Sequence, residues 1–170
     1  MSYGGFPKDY NPWSTEKNMV SDKINEIKAT LESLEVGGDG KLPIHWLVGL
    51  GKESQKNYPV EDRTEENFIH GCTSYAWIKL ENKDPIQINT VSDSVIVSGI
   101  LYLLEEVFNG EPKSSIDDLD GQDLIDGLGL DGHITSQRLR GFAEAVRMMK
   151  GIGKHYSKTR PGFDTGQKNE

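Results

Sequence analysis

The 170-residue chain has one cysteine and only four histidines. A single thiol cannot close an intrachain disulfide, and it cannot build a cysteine-rich zinc or iron–sulfur cage. His45, His70, His133 and His155 are scattered, without H-E-x-x-H or comparable ligand spacing, so no resident metal is expected. Long apolar runs are lacking too. The longest, Val95 to Leu104, contains Ser98 and Gly99 and stops at Glu105-Glu106, far short of the roughly 20 residues a membrane span needs. Excess positive charge is absent: the formal net charge is −8, which argues against nucleic acid or an anionic membrane as a charge-driven partner. The first residues carry Lys8, Asp9, Glu16 and Lys17 rather than an apolar signal core or an Arg-rich, acid-poor leader. Together these absences predict a soluble, cytoplasmic chain with no cofactor of its own.

What is present reads as one α+β domain. Residues 1–18, rich in Gly, Pro, Asn and aromatics over most of their length, are expected to form a mobile arm, residues 19–151 the domain, and residues 152–170 a basic, flexible tail. Ile24, Ile27, Leu31 and Leu34 predict an amphipathic helix capped by Ser21 and ended at Gly37-Gly38. Leu42, Trp46, Leu47 and Leu50 predict a second helix running into Gly51-Lys52. Tyr75–Glu81 and Pro85–Thr90 flank Asn82-Lys83-Asp84 as a hairpin. With the alternating residues before Gly71, they make an expected three-stranded antiparallel sheet, since strands joined by tight loops cannot be parallel. Ser92-Asp93 reads as the cap of a buried helix through Ile96, Ile100, Leu103, Leu104 and Val107, stopped by Asn109-Gly110. A short acidic helical region follows over Ile116–Leu128. Thr135 caps a last helix whose apolar face holds Leu139, Phe142, Val146 and Met149.

Two patterns imitate binding sites and fail on context. Gly127-Leu128-Gly129-Leu130-Asp131-Gly132 spells G-x-G-x-x-G, but an acidic segment precedes it instead of a strand, so it reads as a turn between helices. The aspartates from Asp117 to Asp126 invite a calcium loop. Setting Gly121 at the obligatory sixth position puts Ile116 where a carboxylate must stand, so a solvated acidic face is the better reading.

The chemistry concentrates at Cys72. A thiol beside Gly71, on a turn between two extended segments, can be presented to a partner, whereas one inside a hydrophobic run is packing material. His70 is close enough in sequence to help form a thiolate, although a solvated or core-edge histidine is the simpler account of it. On the residues alone, three classes stand open: a functional thiol presented to a partner, a cysteine-dependent hydrolase with His70 or His133 as base, and a binding module in which Cys72 is inert.

Glu66, Asn67, Ile69, Gly71, Cys72, Ser74, Ala76 and Trp77 resemble the E-N-x-V-x-G-C-x-S-x-V-W motif of the SufE family. The resemblance runs from about Ile44 to Lys150. Asp93, Ile96, Val97 and Gly99 fit the family's D-x-D-A-A-I-V-x-G, and Thr135 to Phe142 fits T-P-x-R-x-N-G-L. It implies a carrier that is not itself an enzyme. It receives sulfur on Cys72 from a pyridoxal-phosphate-dependent cysteine desulfurase, stimulates that enzyme, and passes the sulfur to an iron–sulfur scaffold. It also implies supporting roles in the loop or in docking for Gly71, Ser74, Asp93, Arg138 and His70. Thr73, Ala76 and Arg140 depart from the family pattern, at positions where glutamine, valine and asparagine or glutamine are common.

Overall fold

In the computed structural model, residues 12–37 and 40–151 are described, with side chains from Met19 onward. Of the expected arm over residues 1–18, residues 1–11 lie outside them, as does the expected tail over 152–170, while residues 12–18 form the start of the first helix. Helix α1 (Pro12–Val36) starts well before Ser21, so that serine is an interior helical residue and not a cap. Its buried stripe includes Val20 and Leu31, flanked by the half-buried Ile24 and Ile27. Helix α2 (Leu42–Asn57) carries Pro43 in its first turn, where the missing N–H costs nothing. It runs straight through Gly51.

The reason for that continuation is helix α3 (Val95–Phe108). A Cβ on Gly51 would stand 1.9 Å from the Val95 carbonyl oxygen, and one on Gly99 would stand 1.9 Å from the Leu47 carbonyl oxygen. The two glycines let the backbones touch. What read as a helix stop is a helix crossing. Helix α3 is apolar nearly all round because it is the centre of the core, with Val97, Ile100, Leu101, Leu103, Leu104, Val107 and Phe108 buried.

Strands β1 (Ala76–Lys83) and β2 (Ile86–Ser92) form an antiparallel hairpin with an irregularity between Leu80 and Asn82. The sheet has two strands, not the three expected. The segment before Gly71 contributes one bridge, Phe68 to Trp77, and one hydrogen bond, from Ile69 N–H to the Ala76 carbonyl at 2.8 Å. The Glu65–Asn67 3-10 turn ends just before it and the Gly71 turn follows at once, so no length remains for a strand.

The other edge of β2 needs no further strand, because helix side chains occupy its backbone groups. Asn109 accepts from Ile88 N–H at 2.8 Å and donates to the Ile88 carbonyl at 3.1 Å. Glu105 accepts from Thr90 N–H, and Ser98 from Ser92 N–H. Ser54 and Gln55 of α2 donate to the Thr90 and Ser92 carbonyls.

Helices α4 (Ser114–Asp117), α5 (Gly121–Leu128) and α6 (Ser136–Met149) close the domain. The Gly127–Gly132 pattern is the end of α5, with Gly129 at φ 74° as its left-handed cap, followed by a 3-10 turn. Thr135 caps α6 as expected, accepting from Arg138 N–H, and Leu139, Phe142, Val146 and Met149 are buried. The result is a single α+β domain in which a small hairpin is held between helices.

Candidate functional site

Cys72 sits in a loop of six residues, His70 to Tyr75, closed at its base by the Ile69–Ala76 hydrogen bond. Both base residues are fully buried, so the loop springs from the core although its tip reaches solvent. Ala76, where valine is common in the family motif, lies at that base opposite Ser92. Gly71 has φ 89°, a left-handed conformation that a residue with a side chain adopts only with strain, and this turns the chain back toward the domain. Cys72 is half-buried and packs on the hydrophobic core, while Gly71, Thr73 and Tyr75 are exposed.

The thiol rests on helix α6. A Cβ placed on Gly141 would lie 2.7 Å from Cys72 Sγ and 2.8 Å from Cys72 Cβ, closer than such atoms can approach. Gly141 is therefore the seat of the thiol. One residue earlier, the aliphatic part of Arg140 lies over Gly71, 3.8 Å from where a Cβ would stand. The motif gave Gly141 only as one letter of a helix. Its contact with a cysteine far away in sequence belongs to the fold.

The far side of the loop is tied to the β2–α3 corner. Ser92 Oγ donates to the Tyr75 carbonyl at 2.7 Å and accepts from Ser94 N–H at 3.0 Å. Asp93 N–H donates to the same Tyr75 carbonyl at 3.1 Å, which puts Asp93 at the loop's base with an exposed side chain. Asp93 is not the cap of α3. Ser94 is, with its side chain accepting from Val97 N–H, so the cap falls one residue later than expected. Ser92 is buried and both donates and accepts, a role beyond the cap that its residue type suggests.

His70 turns its Nε2 toward Glu65, 3.4 Å from Oε2, and sets its ring edge-on to Phe68 at 4.9 Å. Phe68 also meets Tyr75 and Trp77 at 6.0 and 5.9 Å, and the Arg63 guanidinium lies 5.2 Å over Trp77. The motif's aromatic residue is thus part of a ring cluster beside the loop, not an isolated anchor. Ser74 is half-buried within the loop. Arg138 is half-buried in the first turn of α6, on the helix that seats the thiol, and its backbone N–H serves the Thr135 cap. The loop therefore gathers Gly71, Ser74 and Asp93 around Cys72 and adds Gly141 and Arg140, which sequence reasoning had not placed there.

Comparison with known proteins gives the chain a family. Residues 28–152 match the SufE family, described as the Fe-S metabolism associated domain. The chain belongs to the SufE family, and so to a group associated with iron–sulfur metabolism. Among its relatives, an uncharacterized SufE-like protein of Rhizobium meliloti (strain 1021) is 31% identical over 110 residues, covering 62% of this chain and 78% of the relative. A second, from Rhizobium etli, is 29% identical over 110 residues, covering 62% of this chain and 74% of the relative.

Proposed function

We propose that this protein is a sulfur acceptor for a pyridoxal-phosphate-dependent cysteine desulfurase, taking the sulfur on Cys72 and delivering it to an iron–sulfur scaffold. The observation that carries the reading is the position of the chain's one thiol. It stands on a loop with a rigid base and a glycine turn, half-buried against a glycine seat that grips it by shape alone.

The chemistry needs little else. The Cys72 thiolate attacks the terminal sulfur of the donor persulfide. A bond forms between Cys72 Sγ and that sulfur while the donor's S–S bond breaks, its electron pair leaving on the donor cysteine. Any proton on the terminal sulfur travels with it, so the exchange requires no external oxidant or reductant. Seating the sulfur against Gly141 between transfers shields a persulfide that cellular thiols would otherwise strip. Docking draws the loop outward. The exposed Asp93 carboxylate at the loop's base and Arg138 on α6 supply charge for that docking, with Gly71 and Ser74 shaping the loop and His70 bracing it against Phe68.

The test is Cys72→Ser. Serine keeps the size of the side chain, but its oxygen cannot accept sulfane sulfur. The variant is expected to bind the desulfurase yet give no stimulation of sulfide or alanine release. The parent, incubated with desulfurase and L-cysteine, gains the mass of one or more sulfur atoms at Cys72, and a reducing agent removes it. Full stimulation by Cys72→Ser would overturn the carrier reading.

A further inference from the structure

Away from the cysteine loop, a cavity of about 370 Å³ opens between the hairpin, helix α6 and the segment leading to the loop. Its volume falls within the range of small-molecule sites, roughly 300–1,000 Å³. The floor is apolar: Ile78 and Leu80 of β1 and Met148 and Met149 of α6, with Ile78 and Met149 buried. Methionine there gives an adaptable wall instead of a fixed mould.

The rim is cationic. Four lysines border the cavity against two carboxylates, in a chain whose net charge is −8. Half of these lysines are already paired. Lys79 is 3.1 Å from Asp62, itself a rim residue, and Lys113 is 2.7 Å from Asp117. Lys83 and Lys150 form no ion pair among the described residues, and they come from different elements, the end of β1 and the residue that follows α6. Two uncommitted ammonium groups over an apolar floor are complementary to one kind of small molecule.

We infer that this cavity binds a small organic anion, an apolar body carrying one carboxylate, phosphate or sulfonate group, with Lys83 and Lys150 on the charged end and Ile78 and Met149 under the apolar end. The inference goes beyond the sulfur-transfer reading and does not depend on it, because no atom of Cys72 lines the cavity.

The experiment uses the full chain and the fluorescent anion 8-anilinonaphthalene-1-sulfonate as probe. It is expected to bind at one saturable site and to be displaced by octanoate but not by octanol, which has a similar tail and no charge. Lys83→Glu combined with Lys150→Glu is expected to weaken probe binding about tenfold or more, the effect of losing at least one charge-assisted contact. Lys83 is exposed and Lys150 half-buried, so a thermal melt that matches the parent's identifies a folded variant. A second variant, Met148→Glu, sets a negative charge at the half-buried part of the floor and is expected to abolish binding of the probe, while unchanged binding in a variant whose melt matches the parent's would overturn the inference. Equal displacement by octanol, or unchanged affinity in the double lysine variant, would overturn the inference.

Discussion

At the scale of single residues, the close seating of the thiol depends on a missing methyl group. Gly141 is buried in α6, and an alanine there would bring its Cβ to 2.7 Å from Cys72 Sγ. Alanine favours a helix over glycine by about 1 kcal/mol, so the helix itself gains. The cost falls on the loop, which has exposed residues on both sides of Cys72 and can swing away. Gly141→Ala is therefore expected to quicken alkylation of Cys72 while moving the melting temperature little. Alkylation kinetics beside a thermal melt check this. A large loss of stability with unchanged alkylation would mean that Cys72 is core packing and not a poised group. The cysteine was legible in the sequence because it is alone and stands beside a glycine in a recognisable motif. Its seat was not, because a glycine in a helix carries no mark of what approaches it. Asp93 shows the same limit from the other side. Ser92, Asp93 and Ser94 are all good caps by residue type, and only the course of the chain decides that Ser94 does the capping.

Among the elements, the α2–α3 crossing is the tightest joint. The Leu47 carbonyl faces Gly99 and the Val95 carbonyl faces Gly51, each 1.9 Å from where a Cβ would begin. Both obstacles are backbone, which cannot rotate aside as a side chain can. Gly99→Ala is expected to destabilise the fold by about 3 kcal/mol, the upper end of what overpacking costs, despite alanine's better helix propensity. Urea unfolding of the variant measures it, and a loss well under 1 kcal/mol would show that the helices can part freely. The same joint explains a misreading. A glycine after an apolar helical stretch signals a C-terminus when only local preference is considered, and here tertiary contact overrides it. The third strand fails on length: between the Glu65–Asn67 turn and Gly71 only Phe68 bridges to the hairpin, at Trp77. Helix α6 was legible from cap to face because its apolar period and its Thr135 cap agree.

For the whole molecule, the clearest consequence is a dependence of stability on pH that arises where sheet meets central helix. Glu105 lies on α3 beneath β2, accepting from both the N–H and the hydroxyl of Thr90 at 2.7 Å. Burial raises its carboxyl from 4.5 to about 7, with the two Thr90 hydrogen bonds opposing the rise and the neighbouring Glu106 adding to it. A carboxyl whose pKa is higher in the folded state than in the unfolded chain holds its proton more tightly when folded. Its contribution to stability is fully present below about pH 4.5, falls as pH rises toward about 7, and is lost above that. Burial also raises the Glu144 carboxyl, with Arg147 opposing the rise. The Glu105 share is isolated by comparison with Glu105→Gln, which keeps an oxygen for Thr90 and cannot ionise. The variant's advantage over the parent is expected to grow between about pH 5 and about pH 8, by on the order of 1 to 2 kcal/mol after allowance for partial solvent screening. Urea unfolding of both proteins at the two pH values reads the difference directly. Parallel behaviour would mean that Glu105 ionises in the folded protein as it does in the unfolded chain, and that the β2 edge is bound by a carboxylate throughout.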